Sequence, residues 1–221
     1  MIESRFSVKA AAAVFALAAG MPAAFAADTI LGSPEAGARI AATCQACHGD
    51  KGNSTVPAQP NLAGQNAAYL RQQLVLFKAR KRNNPLMQSF VDPLSEQDMA
   101  DVAAYYSVQT PAGLEADPSY WKAGEALYTS GDAARDIPAC TACHGPAAQG
   151  NPGSGYPALR AQHSAYTVKQ LQDYLTQNRY RDPVDPSKVN TTANSAMMTT
   201  IASRLTPEDI RNLASYLQGV R

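Results

Sequence analysis

The chain has almost no surplus charge of either sign, with 19 lysines and arginines against 18 aspartates and glutamates. Nucleic-acid binding rests on neutralising phosphates, so a balanced chain without a long basic run has no electrostatic case for that partner. Its one dense basic spot, Arg80-Lys81-Arg82, reads as a solvated helix end. Long hydrophobic runs are scarce too. The apolar run at 10–19 is shorter than the roughly 20 residues a membrane-spanning helix needs, and no later stretch supplies one. It follows Arg5 and Lys9 and precedes Ala24-Phe25-Ala26, an A-x-A cleavage pattern, so residues 1–26 are expected to be a secretory signal peptide. Cleavage there removes Glu3, Arg5 and Lys9 and leaves 17 basic and 17 acidic residues in 195, room for one large or two small domains at about 100–200 residues each.

Cysteine is scarcer still, and its four copies are not scattered. They fall in CQACH (44–48) and CTACH (140–144). An exported chain with an even number of cysteines suggests disulfides, but disulfides leave the two histidines unexplained. A zinc site would call for a second ligand pair nearby. Cys-x-x-Cys-His is the attachment sequence of c-type haem: two thiols three positions apart reach the two vinyl groups of one porphyrin, and the next residue turns its imidazole onto the iron. Cys44, Cys47 and His48, and again Cys140, Cys143 and His144, are therefore expected to hold two covalent haems.

The segments after the two pentapeptides also correspond. PNLAGQNAAYLRQQL (60–74) lies over PALRAQHSAYTVKQL (157–171), matching Pro60 with Pro157 and Tyr69 with Tyr166, and LSEQDMADVAAYYS (94–107) lies over LTPEDIRNLASYLQ (205–218). The closing segment of each copy reads as a helix. Ser95 and Thr206 are N-cap candidates with Asp98 and Asp209 three residues on, and Leu94/Met99 and Leu205/Ile210 take hydrophobic-staple positions. Pro207 falls at a first helical position. Met99, Val102, Ala103 and Tyr106, like Ile210, Leu213, Ala214 and Leu217, recur at the spacing of a buried stripe. A helix before each pentapeptide is expected from 34–44 and 120–130, where Gly37 and Gly124 would admit a close neighbour. QTPAGLEADPSY (109–120) lacks periodicity, which places a linker at 111–119 between an N-terminal domain at 27–110 and a C-terminal one at 120–221. Each is all-α, about four short helices whose small core the haem would complete.

Methionine is the usual sixth ligand of electron-transfer cytochromes with a proximal histidine. Met87 lies seven residues before Leu94 and Met198 seven before Leu205, so register selects this pair, with Met197 one residue out. His163 corresponds to Asn66 and reads as a surface or capping residue at a helix start. His48 and Met87 are 39 residues apart and His144 and Met198 are 54 apart. Most of the excess lies in the polar stretch 179–196, which reads as a surface loop and a possible partner contact.

On CQACHG, QPNLAGQ, NPLM, CTACHG, PALRAQ and the two closing segments, essentially the whole mature chain resembles the dihaem cytochrome c4 family, two class I cytochrome c domains in tandem. The resemblance implies a monomeric periplasmic electron carrier, not an enzyme, with two His/Met-ligated haems. It implies redox-protein partners, a quinol-oxidising complex and a membrane-bound terminal oxidase among them. It also implies that the carbonyls of Pro60 and Pro157 orient the ligand histidines. With both axial positions filled, the iron has no vacant site for substrate. A displaceable sixth ligand would instead suit a dihaem peroxidase or an oxidase of small sulfur compounds. An electron-transfer subunit of a dehydrogenase or sulfide-oxidising complex would share every motif.

Overall fold

The two closing helices organise everything else. In the computed structural model, which describes residues 31–221, α5 (Glu96–Ser107) and α10 (Pro207–Gly219) each start on a complete capping box. Ser95 and Asp98, and Thr206 and Asp209, exchange bonds between side chain and backbone, which satisfies N–H groups a helix start would otherwise leave unpaired. Pro207 is the first residue of α10. Both expected stripes are buried: Met99, Val102, Ala103 and Tyr106 on α5, Ile210, Leu213, Ala214 and Leu217 on α10.

Each closing helix is crossed by the first helix of its own half. α1 (Pro34–Ala41) packs on α5, and α6 (Trp121–Ser130) packs on α10. The crossings depend on glycine. A Cβ on Gly37 would sit 2.0 Å from the Asp101 carbonyl oxygen, and one on Gly124 would sit 2.0 Å from that of Asn212. Two one-turn helices follow, α2 (Gln45–His48) and α7 (Thr141–His144). Next come α3 (Ala67–Lys78) with α4 (Pro85–Val91), and α8 (Ser164–Leu175) with α9 (Ala193–Ala202). Each half thus has five α-helices where four were expected, the extra one being the turn formed by the cysteine motif itself. The described residues contain only isolated β-bridges and no sheet. The signal-peptide reading of 1–26 lies outside the described residues.

The halves keep separate cores, one around Ala41, Leu70, Val102 and Tyr106, the other around Tyr128, Ile137, Leu205 and Leu213. Irregular chain joins them, pinned at both ends. Ala112 N–H donates to Asn53 Oδ1 at 2.6 Å, and Asp117 N–H donates to Ser215 Oγ at 2.9 Å.

Three sequence expectations change where the halves meet. Arg82 is not solvated but buried: Nη1 donates to Gln73 Oε1 at 3.0 Å, Nη2 donates to Tyr166 Oη at 3.0 Å, and the guanidinium lies over the Phe77 ring. His163 takes the N-cap position of α8, as one expected alternative had it, but it is buried rather than on the surface. Its Nε2–H donates to Ser54 O of the other half at 2.8 Å, the kind of reach that Asn66 makes to Tyr156 O. The stretch 179–196 begins with the buried Arg179 and Tyr180, and Arg179 O accepts from Asn83 N–H, so its first turn contacts the other half of the same chain.

Candidate functional site

In a single helical turn, residues i and i+3 share a face and i+4 follows close by. The motif backbone forms that turn: Cys47 N–H and His48 N–H both bond to Cys44 O, and Cys143 N–H and His144 N–H both bond to Cys140 O. All four thiols are free and half-buried. Burial raises the Cys44 thiol and pushes that of Cys140 up to about 11, so both are neutral at physiological pH. Gly49 and Gly145 end the turns at φ values of 75° and 77°, the left-handed region that glycine enters without strain. The sequence signal for them was visible, since glycine follows the histidine in both copies.

His48 and His144 are buried. His48 Nδ1 is 2.9 Å from Pro60 O, and His144 Nδ1 is 2.9 Å from Pro157 O. A carbonyl oxygen only accepts, so each Nδ1 carries the proton and each Nε2 keeps a lone pair. Burial lowers both pKa values, with the prolyl carbonyls pulling the other way, and the rings are neutral. A buried neutral imidazole with Nδ1 tied down and Nε2 free is the form a metal takes.

Both imidazoles face a cavity of about 760 Å³ that runs through the two halves. Of the eight expected site residues, seven line it: Cys44, His48, Met87, Cys140, Cys143, His144 and Met198. Cys47 lies outside the lining, on the same turn as Cys44. Met87 sits in the first turn of α4, where Asn84 Oδ1 caps its N–H at 3.2 Å. Met198 is half-buried midway along α9; its neighbour Met197 also reaches the cavity but is 40% exposed.

Between the two sides of the cavity lies a feature that sequence reasoning missed. Arg82 and Arg179 are buried among Tyr69, Tyr166, Tyr174 and Tyr180, and neither forms an ion pair among the described residues. Arg179 Nη2 donates to Tyr69 Oη at 2.8 Å, while Nη1 is buried without a protein partner. A guanidinium cannot shed its charge, and an unpaired buried charge is costly. The site therefore calls for an anion. Haem carries two carboxylates, and together with four thiols, two free imidazole nitrogens and an apolar lining, the residues present fit two haem groups.

Known proteins agree with this chemistry. A family model described as "Cytochrome c" matches residues 34–107 and again 121–221. The chain is 41% identical to a cytochrome c4 of Stutzerimonas stutzeri over 198 residues, 86% of this chain and 90% of that protein. The crystal structure of reduced recombinant cytochrome c4 from Pseudomonas stutzeri is similar with a TM-score of 0.78, covering 86% of this chain and 100% of that one. A thiosulfate dehydrogenase electron acceptor of Thiomonas intermedia is 36% identical over 181 residues, 80% of this chain and 78% of that protein.

Proposed function

The chain belongs to the cytochrome c4 family of dihaem c-type electron carriers, and on that premise we propose that it passes single electrons in the periplasm between respiratory partners, towards a terminal oxidase. In this reading Cys44 and Cys47 bind one haem and Cys140 and Cys143 the other. His48 with Met87 would hold the iron of an N-terminal domain at 27–110, and His144 with Met198 that of a C-terminal domain at 120–221. When bound, each haem supplies an iron that cycles between ferrous and ferric. The chain does the rest. It orients each imidazole through a prolyl carbonyl, would offer each iron a methionine thioether, which favours the ferrous state, and buries the site so that little solvent would reorganise on transfer.

The observation that carries the reading is the repeated imidazole geometry, two buried rings with the same 2.9 Å bond from Nδ1 to a prolyl carbonyl, facing one cavity with a methionine from each half. The test is the far-red methionine-to-ferric charge-transfer band of the oxidised protein, quantified against total haem. Two equivalents are expected. Met87→Ala and Met198→Ala each lose one, and Met197→Ala loses none. A band lost with Met197 in place of Met198 reassigns that ligand, and a wild-type value of one or none refutes the closed-carrier reading.

A second reading of the partner has its own support in the similarity to a thiosulfate dehydrogenase electron acceptor. It makes the electron donor a sulfur-oxidising dehydrogenase with the same haem chemistry. Stopped-flow reduction of the oxidised protein by thiosulfate with its dehydrogenase, set against reduction by a quinol-oxidising complex, separates the two donors.

A further inference from the structure

The two glutamines at matching register in QPNLAGQ and PALRAQ, Gln65 and Gln162, cross between the halves, and each grips the backbone N–H and C=O of a single residue. Gln162 Oε1 accepts from Asn61 N–H at 2.9 Å while its Nε2 donates to Asn61 O at 3.0 Å. Gln65 Oε1 accepts from Ala158 N–H at 2.8 Å while its Nε2 donates to Ala158 O at 2.8 Å. The amide orientations are not interchangeable. Each Oε1 also accepts the N–H that follows its own residue, from His163 at 3.1 Å and from Asn66 at 2.9 Å, so a flipped amide would set donor against donor.

Asn61 N–H belongs to the same peptide unit as Pro60 C=O, which accepts from His48 Nδ1. Ala158 N–H likewise shares a peptide with Pro157 C=O, which accepts from His144 Nδ1. Two chains of hydrogen bonds therefore run across the domain boundary: Gln162 to the Pro60–Asn61 peptide to His48, and Gln65 to the Pro157–Ala158 peptide to His144. Asn61, Ala158 and both histidines are buried, which limits competition from water for these bonds. Hydrogen bonds in series polarise one another in a low-dielectric interior. An acceptor on the peptide N–H makes its C=O a stronger acceptor, and a stronger acceptor at Nδ1 makes the imidazole a better electron donor through Nε2.

We infer that Gln65 and Gln162 are positioning residues that set the donor strength of the ligand histidine in the opposite domain, so that each domain lowers the reduction potential of the other domain's haem. This rests on the proposed histidine ligation. It makes the domain interface part of each redox centre.

The test uses the full holoprotein, with the potential of each haem measured by titration and assigned from the ferrous axial-methionine resonances in proton NMR. Gln162→Met removes both bonds at similar length. The haem bound by His48 is expected to shift at least threefold towards ferrous at fixed applied potential, about 28 mV at about 59 mV per tenfold for one electron. The haem bound by His144 stays within error. Gln65→Met gives the mirror result. Gln162→Glu keeps an acceptor for Asn61 N–H and is expected to move the same haem the other way. A general loosening of the interface would expose both haems and move them together, so equal shifts, shifts in the glutamine's own domain or no shift overturn the inference. Two low-spin, six-coordinate haems in the wild-type ferric spectrum establish the axial reading beforehand, so its failure is separable from failure of the glutamine effect.

Discussion

Gly124→Ala puts the helix crossing of the C-terminal half to a direct test. The added Cβ would lie 2.0 Å from Asn212 O, 2.5 Å from Asn212 C and 2.8 Å from Tyr216 Cβ, where contacts under 3.0 Å are essentially never found. Two of these three neighbours are backbone of α10, which is held by its own hydrogen bonds and by a buried stripe of four residues. α6 must then retreat by about 1 Å or more along its contact with α10. Overpacking of this kind costs about 1–3 kcal/mol, and the better helix propensity of alanine returns about 1 kcal/mol. Because the 2.0 Å contact is with backbone that cannot turn aside, the cost falls at the top of that range, and a net loss of about 2 kcal/mol lowers the melting temperature of a half this size by roughly 8–16 °C. The assay is built in. Trp121, the chain's single tryptophan, opens α6 and reports the separation of that helix in a thermal or guanidinium titration. Far-UV circular dichroism follows the same transition globally. Gly37→Ala, with the same 2.0 Å approach to Asp101 O, is expected to lose a similar amount by circular dichroism. A Gly124→Ala midpoint equal to or above wild type would refute the reasoning, because propensity would then outweigh a contact that is looser than described.

Two further predictions concern charge. Arg179→Met removes a buried cation with an unpaired nitrogen, and because a nearby positive charge favours the ferrous state, at least one haem is expected to shift about tenfold towards ferric, about 59 mV; unchanged potentials would show that the guanidinium does not face a haem carboxylate. Asp209 is held below the usual carboxylate range, chiefly by its hydrogen bond from Arg135, with the Thr206 cap adding to it. Its folded pKa lies below the unfolded value of about 3.9. Its contribution is therefore complete above that pH and is lost as pH falls through the folded value. Asp209→Asn should cost about 1 kcal/mol at neutral pH, a figure kept small because Arg135 is partly exposed. The gap between urea midpoints of variant and wild type should close progressively as pH falls below the unfolded carboxylate value; a gap that does not narrow with acid would place the loss elsewhere than in the carboxylate.

Much of this protein was legible without coordinates because its signals are local. Cys-x-x-Cys-His specifies one helical turn whatever lies around it, since three and four residues are the distances that share a face. Ser95 with Asp98 and Thr206 with Asp209 satisfy helix starts from within four residues, and both capping boxes formed. The buried stripes of α5 and α10 repeat at the helical period, and register between the two copies singled out Met87 and Met198, which line the cavity, and paired Pro60 with Pro157, whose carbonyls accept from the histidines.

The meeting of the two halves was not legible, and the misread residues all lie there. Arg82, Arg179 and His163 are polar, and a polar residue on a helix end looks the same in sequence whether it faces water or another polar surface. Gln65 and Gln162 stood in repeated motifs, but the backbone groups they grip lie 93 and 101 residues away. Nothing in local spacing encodes which carbonyl a side-chain amide will reach across a boundary. Sequence by itself determined two haem-binding turns, their capped helices and their duplication, because each is decided within a few residues. Only the tertiary structure decided that the copies join through two buried arginines and two glutamines, because that depends on where surfaces distant in the chain come to lie against each other.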